Sequence, residues 1–238
     1  MILLAYISVT FISIRRAKPL GFSKEMIQDL TTTTLISGII GARFAHLFLY
    51  TDQYESFIDF FKIYNGGLVL YGFLLTTPFV INYKLKRINM TWNQFFIIFL
   101  PPVPLGIGIG RLGCFLNGCC YGGPGEVPWC VVFPDSSMPG SIYGETPIHP
   151  SQLYAFSLGL ILSILLMKLT TIFPRMNGNH MLSSFLLGYG FIRLIEETFR
   201  ADTPKHFFHV FTAGQGISVL LIIVSILFFI LPKLVKKT

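Results

Sequence analysis

The sequence predicts an all-α, polytopic integral membrane protein of about seven transmembrane helices, N-terminus outside and C-terminus inside. Three observations carry this. Of its 238 residues 53% are hydrophobic and only 12% charged, whereas about a quarter are charged in soluble domains. Apolar runs recur at lengths near the roughly 20 residues that a helix needs to cross a bilayer. Basic residues cluster at alternate ends of those runs, as the positive-inside rule places them. Arg15, Arg16, Lys18, Lys24, Lys84, Lys86, Arg87, Lys168, Arg175, Lys233, Lys236 and Lys237 fall inside, against Lys62, Arg111, Arg200 and Lys205 outside. The net charge of +7 therefore reflects orientation in a membrane, and no nucleic-acid partner is expected. Residues 1–238 leave no room for a separate soluble domain and read as a single integral one.

Met1 to Ile14 is apolar and is followed by Arg15, Arg16 and Lys18. A cleaved secretory signal has its charges ahead of the apolar run, so this segment reads as a retained first helix. At about 1.5 Å per residue it covers only about 21 Å of a hydrocarbon core some 30 Å thick, so it is short or tilted. Leu30 to Tyr50 is the second span, where Arg43 and His46, three apart, share a helical face. A short acidic, aromatic segment (Asp52 to Lys62) leads to the third span, about Ile63 to Tyr83, which opens on Asn65-Gly66-Gly67 and carries Tyr71-Gly72. The fourth, about Thr91 to Gly110, is interrupted by Pro101, Pro102 and Pro104. Proline is tolerated in a membrane helix where neighbours satisfy the freed carbonyls, so a kink that aims Arg111 inward is expected. An outer segment from Leu112 to Pro150 holds all the cysteines. Ser151 to Leu169 is the fifth span, Met181 to Glu197 the sixth and Phe211 to Leu231 the seventh.

The chemistry concentrates in residues 106–123, Gly-Ile-Gly-Ile-Gly-Arg-Leu-Gly-Cys-Phe-Leu-Asn-Gly-Cys-Cys-Tyr-Gly-Gly. An arginine among glycines at the end of a span is a functional-site candidate, because a membrane charges heavily for an unpaired cation. The glycines either form a backbone nest for an anion or, at Gly106 and Gly110, a close helix contact. Arg43, Arg111 and Arg193 come from three spans and would repel one another without anions, so a phosphate is a natural ligand and a phospholipid headgroup the nearest source. Tyr189, Arg193 and Glu197 recur at steps of four and stack along one face. Glu196 and Glu197 are possible internal partners of the arginines. His149, before Pro150 and close to Gln152 and Tyr154, is either a base or a helix-capping residue.

These stretches resemble the bacterial prolipoprotein diacylglyceryl transferase family across nearly the whole chain. The most specific matches are Gly110-Arg111-Leu112-Gly113-x-Phe115-x-Asn117-Gly118, His149-Pro150-Ser151-Gln152-Leu153-Tyr154 and Gly188-Tyr189-Gly190-Phe191-Ile192-Arg193; Gly41-Ala42-Arg43, Asn65-Gly66-Gly67 and Gly214-Gln215-Gly216 add weaker ones. The resemblance implies a multi-pass enzyme of the bacterial plasma (inner) membrane. Such an enzyme moves the diacylglyceryl group of phosphatidylglycerol onto the lipobox cysteine thiol in a prelipoprotein signal peptide and releases glycerol phosphate, with no cofactor. It further implies Arg111 and Arg193 on the phosphate and Asn117, Gly122, Tyr189 and Glu197 around the substrate; His149 is the candidate catalytic base, and Arg43, Tyr71 and Gln152 are further substrate-binding candidates.

The chain departs from the family at points that matter. The family has histidine at Tyr71, asparagine at Cys114 and glutamate at Cys119, and an N-terminal arm with its own tyrosine that has no counterpart before Met1. A tyrosine, with a pKa of about 10, is a poor general base at neutral pH, which leaves that work to His149 or changes the reaction. The run Cys114-x4-Cys119-Cys120-x9-Cys130 lacks the C-x2-C spacing of common zinc sites, so no metal is expected. Disulfides pinning an outer loop are the preferred account, with a thiolate nucleophile at Cys114 or Cys119 as the competing one. The alternatives are a relative with a different acceptor or a covalent cysteine step, and an inactive lipid-binding scaffold.

Overall fold

The computed structural model describes residues 1–54, 57–62, 67, 69–203, 205–207 and 211–235. The expected Asn65-Gly66 pair, the start of the third span at Ile63 and the inner Lys236 and Lys237 lie outside the described residues. Nearly all of the regular structure is helical: α1 (Ile2–Ala17), α2 (Lys24–Leu49), α3 (Leu70–Arg87), α4 (Trp92–Phe99), α5 (Val103–Asn117), α6 (Met138–Tyr143), α7 (Ser151–Ile172), α8 (Gly178–Phe199) and α9 (Ala213–Val235). A small antiparallel pair, β1 (Lys205–Phe207) and β2 (Phe211–Thr212), precedes α9. Among the described residues α2 and α7 are each long and apolar enough to cross a membrane, and α4 with α5 passes the same test only if the bent pair is taken together. Large apolar side chains stand exposed along α1, α7 and α9, among them Leu3, Phe11, Ile161, Leu165, Leu220 and Ile223. Apolar surface on that scale is stable against lipid and not against water.

The chain forms two compact units, residues 13–92 and residues 1–12 with 93–238. In the first, α2 starts at the cap Ser23, whose hydroxyl accepts from Met26 N. Thr31, Thr34 and Ser37 return their hydroxyls to backbone carbonyls one turn earlier, at Ile27, Leu30 and Thr34, so a polar run remains compatible with an apolar helix. α3 is capped by Ile88, followed by Asn89 in the left-handed conformation (φ 53°) and a Met90 N to Leu85 O bond, a helix stop of the kind that asparagine tolerates. α2 and α3 meet through small residues. A methyl at Gly72 would overlap the Gly41 carbonyl oxygen, and one at Gly41 would overlap the Thr76 side chain. Gly72→Ala is therefore expected to destabilise the protein by about 1–3 kcal/mol, the usual range for overpacking. Gly110→Ala, with nothing within 4 Å of the new methyl, is expected to leave the unfolding midpoint in detergent unchanged or higher. Equal midpoints for the two variants would refute this account of the α2–α3 contact.

The second unit is built on α5 packing against α7, α7 against α8 and α8 against α9. Its core joins Leu100, Leu162, Leu166, Met181 and Ile192. The proline kink is present: α4 and α5 are bent by 48° across the break. The buried Ser163 hydroxyl of α7 donates to Pro101 O at 2.7 Å, which is the neighbour's compensation that a broken membrane helix needs. One boundary differs from expectation. The helix does not stop at Gly110 but runs to Asn117 and is closed by Gly118 (φ 68°), whose N–H bonds back to Cys114 and Phe115 O. The glycines from 106 to 113 therefore spend their N–H groups inside α5, and no anion nest forms there. Gly106 packs on Val9, Gly108 on Phe156 and Gly159 on Pro104 O, whereas Gly110 makes no close contact. The close approach thus runs through Gly108 and Gly159, and the expected Gly106–Gly110 pair is corrected.

Candidate active site

Arg111 lies inside α5 and Arg193 on α8. One carboxylate joins them. Arg111 Nη2 stands 3.0 Å from Glu196 Oε1 and Arg193 Nη1 2.8 Å from Glu196 Oε2. The second Arg193 nitrogen, Nη2, reaches Glu197 Oε2 at 2.9 Å, the i,i+4 pair that the stepping on α8 predicts. Arg200 extends the chain, 3.8 Å from Glu197 and bidentate on Asp202 at 3.0 and 3.2 Å. The Glu196 and Glu197 side chains are 3% and 1% exposed, while those of Arg111 and Arg193 keep 16% and 17%. Buried carboxylates thus hold the cations in place, while both arginine side chains keep some exposed surface.

Beside Arg111 and Glu196 is a narrow recess walled by Pro104 and Ile107 of α5, Ala155 and Gly159 of α7, and Tyr189 and Ile192 of α8. Its walls are apolar and its polar end is a shared-carboxylate arginine pair.

Glu197 is also covered from the side of α9. A methyl at Gly214 would stand 2.6 Å from the Glu197 carboxylate, so only glycine lets the first turn of α9 come this close. That turn is closed by a reciprocal cap: Thr212 N donates to Gln215 Oε1 and Gln215 N to Thr212 Oγ1. The positive end of α9 thereby faces an anion. The signature Thr-x-x-Gln was legible in the sequence as a helix start, but its service to Glu197 was missed.

The remaining candidates fall into three settings. His149 Nδ1 is 3.0 Å from the Tyr154 hydroxyl, which also accepts from Trp129 Nε1 at 2.9 Å, and the Cys130 thiol lies 3.8 Å from the same ring nitrogen. Gly122 is buried, donates to His149 O at 3.0 Å and bridges to Arg200; a methyl there would meet His149 O at 2.5 Å. Gln152, fully buried, does not line the recess but donates to Cys119 O at 2.7 Å. Asn117 is exposed at the end of α5.

In the other unit Tyr71 is 61% exposed near the start of α3. Arg43 is 5% exposed, and its guanidinium is received by the carbonyls of Asp59, Phe60 (2.9 Å), Lys62 (3.4 Å) and Gly67 (3.1 Å), with the Tyr54 ring 5.0 Å away. His46 shares that ring, its Nδ1 2.9 Å from the Tyr54 hydroxyl. The protein partners of the three arginines are thus carbonyls at Arg43 and, as the sequence allowed, the Glu196 and Glu197 carboxylates at Arg111 and Arg193.

The cysteines are all free thiols, which replaces the expected disulfides. Cys114, on the face of α5 that follows Arg111, and Cys119 and Cys120 beyond the helix end bring their sulfurs within 4.8 Å of one another. The hydrogen bond from Cys114, with further help from Arg200 and Arg111 and against the pull of burial, lowers the Cys120 thiol to about 6.

Comparison with known proteins places these features in context. The family model described as prolipoprotein diacylglyceryl transferase matches residues 1–231. A phosphatidylglycerol–prolipoprotein diacylglyceryl transferase of Shewanella oneidensis is 34% identical over 223 residues, covering 89% of this chain and 78% of the relative. The proteins of the same name from Legionella pneumophila and Serratia proteamaculans are 30% and 29% identical over 235 and 251 residues; the matches cover 95% and 97% of this chain and 88% and 86% of theirs.

Proposed function

Because the chain belongs to the prolipoprotein diacylglyceryl transferase family, we infer that it is a membrane transferase that carries the diacylglyceryl group of phosphatidylglycerol to a prolipoprotein. The finer reading makes the acceptor the lipobox cysteine thiol of the prelipoprotein signal peptide. The observation that supports a phospholipid donor is the pair of arginines, Arg111 and Arg193, held on one Glu196 carboxylate beside an apolar recess. In the reaction the thiol loses its proton, sulfur attacks the terminal glycerol carbon, and the carbon–oxygen bond to phosphate breaks with its electrons staying on glycerol phosphate. Negative charge grows on that leaving phosphate, where Arg111 and Arg193 supply fixed donors. Their buried carboxylates keep them oriented before the lipid arrives.

His149 takes the proton in this scheme. With Nδ1–H donating to Tyr154 Oη, which the Trp129 indole also holds, Nε2 carries the lone pair that accepts. Tyr189 lines the recess, and Glu197 orients Arg193. Gly122 and Gln152 position the segment after α5, Arg43 holds the segment before α3, and Tyr71 and Asn117 are available to lipid or peptide.

The protein acts as a single integral domain, residues 1–238, crossing the bacterial plasma membrane seven times with its N-terminus outside. Labelling of single introduced cysteines in a background without the native four tests this: an impermeant maleimide is expected to modify positions 62 and 200 in intact cells and to spare 15, 84 and 175. Strong labelling at 84 would overturn the orientation. The activity is tested by expression in a strain depleted of its own lipoprotein transferase. Growth with lipid-modified lipoprotein is the expected result. Absence of rescue by a correctly inserted protein would instead favour another acceptor or a lipid-binding scaffold.

A further inference from the structure

We propose that Cys114, Cys119 and Cys120 form a three-thiolate site for a soft closed-shell metal ion, zinc or monovalent copper. Their sulfurs lie within 4.8 Å of one another. Three thiolates around one such ion at metal–sulfur distances of about 2.3 Å have sulfurs about 3.8 Å apart, so rotamer adjustments of the side chains close the set and no backbone movement is needed. Thiolate-only ligation selects soft ions over magnesium, calcium or manganese.

The sulfurs are held by surrounding structure. Gly118 in the left-handed conformation ends α5 and turns the chain, and Cys119 N bonds to Cys114 O at 3.0 Å. Cys120 itself adopts φ 59°, which a non-glycine residue takes at a cost, and its carbonyl is clamped by the Ser151 hydroxyl at 2.7 Å. The neighbouring Cys119 carbonyl is clamped by Gln152 Nε2 at 2.7 Å. Ser151 and Gln152 are both fully buried at the start of α7, so two polar groups in the protein interior serve to fix the cysteine backbone. Supporting bonds of this kind orient ligands in metal sites.

Three thiolates leave a net −1 with zinc and −2 with copper(I); Arg111 and Arg200, the cations that act on Cys120, are themselves paired with Glu196, Glu197 and Asp202. The remaining cysteine, Cys130, is engaged with His149 and is outside the set. Linear spacing hides this site because the usual paired motif is absent: one ligand comes from the last turn of a helix and two from the residues after its left-handed stop.

The test uses the full-length protein, purified in detergent, reduced and stripped of metal. Titration with zinc against a chromophoric chelator, and separately with copper(I) against a copper(I)-specific one, is expected to fill one equivalent. Binding should be lost in Cys114→Ser, Cys119→Ser and Cys120→Ser and kept in Cys130→Ser. In the wild-type protein, where folding is not in question, the bound ion should shield residues 114, 119 and 120 from maleimide while Cys130 reacts at its unliganded rate. The proposal is overturned by a wild type that binds neither ion, by shielding that does not distinguish Cys130, or by a disulfide among the three thiols in protein whose thiols were trapped inside the cells before lysis. None of these readouts depends on transferase activity.

Discussion

Arg193→Met is expected to lower the stability of the folded protein by about 3–5 kcal/mol, the cost of leaving a buried ion pair without one partner. Arg193 is the cation between two carboxylates, at 2.8 Å from Glu196 and 2.9 Å from Glu197, and those side chains are 3% and 1% exposed. Neither carboxylate has a full replacement. Arg111 already occupies Glu196 at 3.0 Å, and Arg200 stands 3.8 Å from Glu197. Denaturant unfolding in detergent micelles measures the loss. Adding Glu197→Gln to Arg193→Met should recover part of it, because the amide needs no counter-cation, yet transfer activity should stay absent in the double variant. A single variant within about 1 kcal/mol of wild type would mean that Glu196 and Glu197 do not depend on Arg193.

Arg111→Lys separates catalysis from folding. A lysine at 111 keeps a cation near Glu196 and is expected to leave the unfolding midpoint almost unchanged. It loses the planar fork by which one guanidinium faces a carboxylate and a phosphate together. A charge-assisted bond to a buried phosphate contributes about 1.5–3 kcal/mol, so kcat/KM at limiting phosphatidylglycerol should fall roughly tenfold to a hundredfold. The KM for phosphatidylglycerol and kcat should both suffer, since the phosphate is bound in the ground state and gains charge as it leaves. Near-normal turnover at limiting lipid would remove Arg111 from the phosphate site.

Whatever depended on neighbours in sequence was legible before any coordinates. Apolar run lengths, the basic residues at their ends and the proline triplet gave a helical membrane protein with a kink near residue 101, and the structure shows mostly helix and a 48° bend there. The i,i+4 relation of Arg193 and Glu197 was readable because one helix imposes it. The end of α5 was misplaced by seven residues, from Gly110 to Asn117, since glycine and arginine are poor apolar signals even where neighbouring helices make them welcome.

Tertiary structure alone decided the partners. Arg111 and Glu196 are 85 residues apart, and no local pattern states that one carboxylate will serve two arginines. Nor does any pattern turn Arg43 toward the carbonyls of residues 59–67 or Gln152 toward Cys119. The sequence by itself determined which segments are apolar and helical, because that depends on composition and length. Which charges neutralise which, and which thiols share a centre, was decided by packing, because electrostatic pairing acts over a few ångströms of space and takes no account of separation along the chain.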